Sequence, residues 1–187
     1  IQAPQIRGGA LPVLTETQRE WTVKCGDTEV SFSRESGEMT AYRIGGKNVL
    51  SSSMKPSFWR APTDNDMGNK LHIRANAWRA AGENRRKVSL TAEASDSVVT
   101  VKGVFRMPET HSDYSMTYTV APGGVVKVNI AWKADNGGAD TPELPRFGVR
   151  VALHKAFDNF CRYGRGPWEN YSDRNTSAFL GVYCDKV

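Results

Sequence analysis

The strongest constraint on this chain is an alternation of apolar and polar residues with a period of two. In YSMTYTV, residues 114–120, Tyr114, Met116, Tyr118 and Val120 point one way while Ser115, Thr117 and Thr119 point the other. In VVKVNIAWK, Val126, Val128, Ile130 and Trp132 share a face opposite Lys127, Asn129 and Lys133, and RFGVRVAL repeats the pattern with Phe147, Val149, Val151 and Leu153. A strand with one face on a core and one face in water reads this way, because successive side chains leave opposite sides of the pleat. APGG, residues 121–124, joins the first two runs as a tight hairpin. RKVSLTAEAS and SVVTVKGVF flank the turn SDS as a second antiparallel pair, and EVSFSR and EMTAYRI form a third around Ser36-Gly37. One helix is expected, capped by Asn69, with Leu71, Ala75 and Trp78 on one face and Gly82 as its stop. The expected architecture is mainly β, an antiparallel sandwich with one short helix. Residues 1–20, punctuated by Pro and Gly, read as a linker or arm, leaving 21–187 as the domain.

Composition narrows the function classes. The chain has 187 residues, 39% hydrophobic and 24% charged, enough for one domain with a real core or two small ones. No stretch approaches the roughly 18 apolar residues of a membrane helix. The opening IQAPQIRGGALPVL lacks the pattern of a signal peptide, and the compartment stays open between cytoplasm and periplasm. The net charge of +5 invites a nucleic-acid reading. Yet the basic residues alternate with carboxylates, and the one dense run, ENRRKV at 83–88, reads as a solvated loop rather than a phosphate footprint. Neither nucleic acid nor membrane is expected as a partner. Cys25, Cys161 and Cys184 fit neither a disulfide framework nor a metal site; two could pair in an oxidising compartment, but nothing local demands it, and the favoured reading is buried free thiols.

Two stretches carry dense polar chemistry. The first is FWRAPTDNDMGN, residues 58–69. A calcium hand starting at Asp64 needs a bidentate Glu at its twelfth position, where Ala75 stands. Asp64 and Asp66 as an acid/base pair is the sharper reading, and turn and helix-start chemistry is the simpler one. Arg60, shielded by Trp59 and Pro62, needs acceptors for its donors, with Asp64 or Asp66 the expected partners. The second stretch, YGRGPWENY, has Gly164 and Gly166 but Glu169 where a dinucleotide loop needs its third glycine. Glu169, Asn170, Asp173 and Arg174 there read as a polar network. His72, His111 and His154 have no ligand spacing.

These stretches carry a family resemblance. FWRAPTDNDMG followed by NAWRAAG, and RYGRGPWENYSDR followed by LGVY, closely resemble the carboxy-terminal small-chain domain of the large bacterial β-galactosidases, glycoside hydrolase family two enzymes. Phe58–Gly68 matches F-W-R-A-P-x-D-N-D-x-G and Gly164–Arg174 matches G-x-G-P-x-E-N-Y-x-D-R, with Trp168 where many relatives carry His or Gln. The resemblance implies the first part of an antiparallel supersandwich of the galactose-mutarotase type. It also implies a parent enzyme that hydrolyses terminal β-D-galactosides with retention, using two glutamates roughly 5–5.5 Å apart in an upstream TIM barrel. On this reading the chain is an accessory, carbohydrate-binding-like domain, inactive alone. It takes no cofactor, and any divalent or monovalent cations belong to the barrel. Its partners are the barrel and other domains of the parent, itself compatible with an oligomer, and the galactoside only indirectly.

The candidate sugar-facing or structural residues are then Trp59, Arg60, Asp64, Asn65, Asp66, Trp168, Glu169, Asn170 and Arg174. A candidate gating loop, expected to project past the helix, comprises Gly82, Glu83, Asn84, Arg85 and Arg86. The alternative is a stand-alone carbohydrate-binding module with Trp59, Trp78 or Trp168 stacking on sugar. A mutarotase-like epimerase needs a His acid and a Glu base converging on one concave face, which scattered histidines support poorly.

Overall fold

The computed structural model describes residues 8–168, 170 and 175–186. They divide into two compact units, with the boundary in the chain between Ala152 and Leu153. The first unit opens with a five-stranded antiparallel sheet: β1 (Val13–Glu16), β2 (Glu20–Cys25), β3 (Thr28–Ser33), β4 (Met39–Ile44) and β5 (Lys47–Asn48), in sequential order. β6 (Leu50–Ser57) follows. Three helical turns come next: α1 (Asp64–Gly68), α2 (Leu71–Arg74) and α3 (Trp78–Ala81). A second antiparallel sheet has the order β10-β9-β8-β7, from β7 (Arg86–Ala94), β8 (Val99–Met107), β9 (Ser112–Val120) and β10 (Val126–Ala134). β11 (Gly148–Leu153) pairs with β6.

The two larger sheets share one core. The alternation puts Trp21, Val23 and Cys25 of β2 inside, together with Val99, Val101, Phe105 and Met107 of β8 and Tyr114, Met116, Tyr118 and Val120 of β9. Phe32 of β3 meets Tyr118 of β9 with ring centroids 4.9 Å apart. Polar ties reinforce this contact: the Tyr42 hydroxyl donates to the Gly124 carbonyl at 3.0 Å, and the Met39 N–H donates to the Tyr118 hydroxyl at 3.4 Å. Burial pushes the Tyr118 phenol well above its usual range, so it stays neutral in this interior. At the hairpin after β9, Gly124 has φ +81° and a Cβ there would lie 2.3 Å from Thr28 Cγ2, so both the turn and the close packing require glycine.

The second unit is a hairpin of β12 (Asn159–Gly166) and β13 (Phe179–Lys186), with a 3-10 turn at Asn175–Ser177.

The three expected strand pairs all form, in the expected antiparallel sense. Several details differ. The stretch read as a linker contains β1, which pairs with β2 along four residues from Val13↔Lys24 to Glu16↔Trp21. The span 21–187 forms parts of two compact units rather than one. The expected single helix after Asn69 is two short turns, α2 and α3, because Ala75 leaves helical geometry at φ −96° and ψ 11°; α1 is a further turn before Asn69, separated from α2 by Lys70 with its left-handed φ of 62°. The first cap is Thr63, not Asn69. Phe147, Val151 and Leu153 are 39–46% exposed, so the alternation along β11 buries no comparable face. Cys161 and Cys184 are bonded to each other on exposed backbone rather than buried as free thiols, because β12 and β13 pair them directly opposite. Cys25 is the buried free thiol.

Phe32 is fully buried where the two sheets meet. Phe32→Ala should lower unfolding free energy by about 3–5 kcal/mol, measured by chemical denaturation.

Candidate functional site

The residues 58–69 leave β6 and cross the end of the core. Phe58 is buried and packs on Trp78 and Tyr114, with ring centroids at 5.5 and 5.4 Å. That anchor turns the next residues toward the surface, where Trp59 and Arg60 are half-buried. Thr63 then starts α1 with a capping box. Its hydroxyl accepts the Asp66 N–H at 3.3 Å, and the Asp66 carboxylate accepts the Thr63 N–H at 2.8 Å. The same carboxylate receives Arg60 in a two-pronged contact, Nη1 at 2.5 Å and Nη2 at 3.1 Å. Arg60 Nε donates to the Pro145 carbonyl at 3.2 Å, and the Trp78 indole N–H donates to the Pro142 carbonyl at 3.0 Å. Arg74 adds an ion pair to Glu143 at 2.9 Å. Three separate side chains therefore strap the segment 142–145 onto the motif.

The electrostatics follow from these contacts. The Arg60 hydrogen bonds, then the Thr63 backbone N–H, hold the Asp66 carboxyl at about 2, against 3.8 for an unperturbed aspartate. Asp64 and Asn65 are exposed first-turn residues of α1, and the Asn65 carbonyl accepts the Asn69 N–H. The two aspartates thus have different roles, and it is Asp66 that meets Arg60. His72 lies beside this cluster with Nδ1 enclosed and without a hydrogen-bond partner.

A cleft of about 210 Å³ opens beside Trp59, lined by Pro56, Trp59, Arg79, Glu83 and Arg150. The Arg79 guanidinium carbon lies 5.8 Å from the Trp59 ring centroid, a cation–π distance. In this cleft an aromatic ring and several charged groups line one hollow.

The loop expected to project is instead tied down. Arg85 has only 8% of its side chain exposed and pairs with Glu38 at 2.6 Å, with its guanidinium 4.9 Å from the Phe105 ring centroid. It also donates to the Gly82 carbonyl, and Ser53 donates to the second oxygen of Glu38 at 2.6 Å. Glu83 pairs with Lys55, and Asn84 donates to Glu109 at 2.7 Å. Gly82 lies so close to Pro56 that a Cβ would sit 2.9 Å from its carbonyl oxygen. Arg86 is exposed and already belongs to β7, opposite Arg106. The run looked solvated because sequence shows the charge of Arg85 but not its partner, 47 residues earlier.

The second motif belongs to the hairpin unit. Trp168 is 72% exposed and Asn170 is exposed. Glu169 and Arg174, like Asp173, lie outside the described residues. Among the described residues no group of three or more His, Cys, Asp or Glu is placed to hold a metal ion, and no helix is long and apolar enough to cross a membrane.

A depressed carboxyl pKa has a definite sign. The Asp66 contacts add stability at any pH above the unfolded value near 3.8, and that stability is lost as pH falls toward about 2. Asp66→Asn should lower the melting temperature at neutral pH and flatten its decline between pH 4 and 2, read by thermal melts across that window.

Comparison with known proteins gives this geometry a family. Residues 24–187 match the family model described as Beta galactosidase small chain. The chain is 35% identical over 158 residues to the beta-galactosidase of Clostridium acetobutylicum, covering 84% of this chain and 17% of that protein. It is 33% identical over 180 residues to the beta-galactosidase of Priestia megaterium, again 17% of that protein. A beta-galactosidase small subunit from Latilactobacillus sakei is 30% identical over 179 residues, 56% of its length. The chain thus spans less than a fifth of the two long relatives. With a family match over most of its length and a mainly β, antiparallel sandwich, the chain belongs to the β-galactosidase small chain family.

Proposed function

We propose that the chain is an accessory domain of a β-galactosidase that hydrolyses terminal β-D-galactosides with retention, and that it contributes no catalytic glutamate. The observation that carries this reading is the internal use of three carboxylates in and around the motif. Asp66 is spent on Arg60 and Thr63, Glu38 on Arg85, and Glu143 on Arg74. A retaining glycosidase needs two carboxyl groups facing one sugar, one free to give a proton and the other to attack. Carboxylates held by guanidinium groups brace a fold better than they perform either task. Both functional carboxylates are assigned to a TIM barrel elsewhere in the parent, and the complete domain to a galactose-mutarotase-like supersandwich. The separate small subunit of Latilactobacillus sakei, so named, favours an arrangement in which such a segment acts with the rest of the enzyme.

A second reading rests on the cleft at Trp59. An aromatic face flanked by Arg79, Arg150 and Glu83 combines the stacking surface and polar rim that a sugar site uses. On this reading the domain touches the galactoside, or a more distant part of it, through Trp59.

The chain alone should show no turnover of a chromogenic β-galactoside, and adding the barrel-bearing remainder of the enzyme should restore it. Turnover by the purified chain that survives removal of contaminating enzyme contradicts the accessory reading. Trp59→Ala in the full-length enzyme separates the two readings. A several-fold rise in KM at unchanged kcat supports the sugar contact, and unchanged kinetics leaves Trp59 as scaffold.

A further inference from the structure

We propose that Cys161 and Cys184 form a thiol-exchange site on the β12–β13 hairpin, opened by small thiols of the glutathione class and closed by the corresponding disulfides while the rest of the fold stays intact. Three observations carry it. The first is register: all eight residues of β12 pair with β13, and Cys161 stands directly opposite Cys184 with Cα atoms 4.0 Å apart. The second is access. Both cysteines are exposed. Their neighbours on the same face of the hairpin, Tyr163 and Val182, are 63% and 69% exposed, so an attacking thiolate can approach. Exposed disulfides are the exchangeable ones, since attack requires a sulfur the nucleophile can reach. The third is independence. The hairpin is a compact unit of its own, and its ladder holds the two strands in register on both sides of the bridge. Opening the bridge therefore leaves the two sulfurs facing each other, ready to close again.

The chemistry balances with a thiol as the only co-reactant. Its thiolate attacks one cysteine sulfur, the Sγ–Sγ bond breaks, and the displaced sulfur leaves as a thiolate that takes a proton from water. A second thiolate attacks the mixed disulfide and releases the other cysteine. Two electrons pass from two small thiols to the cysteine pair, and the small thiols leave as their own disulfide. Oxidised glutathione drives the reverse.

Cys25 supplies an internal control, because it is 3% exposed and its thiol donates to the Ala121 carbonyl. The test treats the whole chain with glutathione in native buffer, traps thiols with iodoacetamide, and locates the label by peptide mass. Cys161 and Cys184 should label together, at least about tenfold faster than Cys25, and oxidised glutathione should abolish that labelling. Cys161→Ser should leave Cys184 as a thiol that takes up one glutathione, and Cys184→Ser should do the same for Cys161. Labelling of the pair only in denaturant, or no faster than Cys25, overturns the proposal. So does failure of oxidised glutathione to close the pair, or protection of both cysteines at the Cys25 level in a full-length β-galactosidase that carries this chain.

Discussion

The contact between Arg60 and Asp66 organises the end of the sandwich around the motif. One carboxylate closes the capping box of α1 and holds the guanidinium in two places, while the third edge of that guanidinium reaches the Pro145 carbonyl. A short helix of five residues has little stability by itself, because nucleation fixes several residues for few hydrogen bonds. Here the cap, the ion pair and the buried Phe58 supply what length does not. The consequence is that the crossing segment 142–145, remote in sequence, is fixed against Arg60 of the motif and against α2 and α3 by side chains instead of by a strand ladder.

A second polar contact does similar work deeper in the same unit. Arg85 and Glu38 are nearly out of water, and such a pair persists only with further hydrogen bonds. The Ser53 hydroxyl and the Gly82 carbonyl supply them, and the Phe105 ring adds a cation–π contact. Both contacts sit between elements that pair with no common strand, which is where a sandwich with short helical turns needs directional ties. The charged residues of this region are therefore largely committed within the unit, and the cleft at Trp59 is the exception, with Arg79 and Arg150 facing its hollow.

Strand content and pairing were legible in the sequence because burial on one face writes a period of two directly into residue type. The hairpins at Ser36-Gly37, at SDS and at APGG follow from that period and from turn residues. The Arg60 partner was legible for a related reason: a shielded guanidinium six residues from a carboxylate leaves few choices, although Asp66 and Asp64 were not separable without knowing that Thr63 is the cap. What escaped depends on distance. The Glu38 partner of Arg85, the prolyl carbonyls that receive Arg60 and Trp78, and the opposition of Cys161 to Cys184 all join residues by tertiary register, which local patterns do not carry. The helix was misread for a local reason. Leu71, Ala75 and Trp78 have helical spacing, but the backbone leaves helical geometry at Ala75, which spacing does not reveal. The motifs themselves were legible as family marks long before their geometry explained them.

The motif's Arg60 and Asp66 act as one structural unit. A double-mutant cycle on Arg60→Ala and Asp66→Ala, followed by denaturant unfolding of the whole chain at neutral pH, tests it most directly. If the account is right, the double variant loses little more stability than either single variant, because each substitution already breaks the shared contact. Strictly additive losses would contradict it, showing that the two side chains stabilise the fold independently.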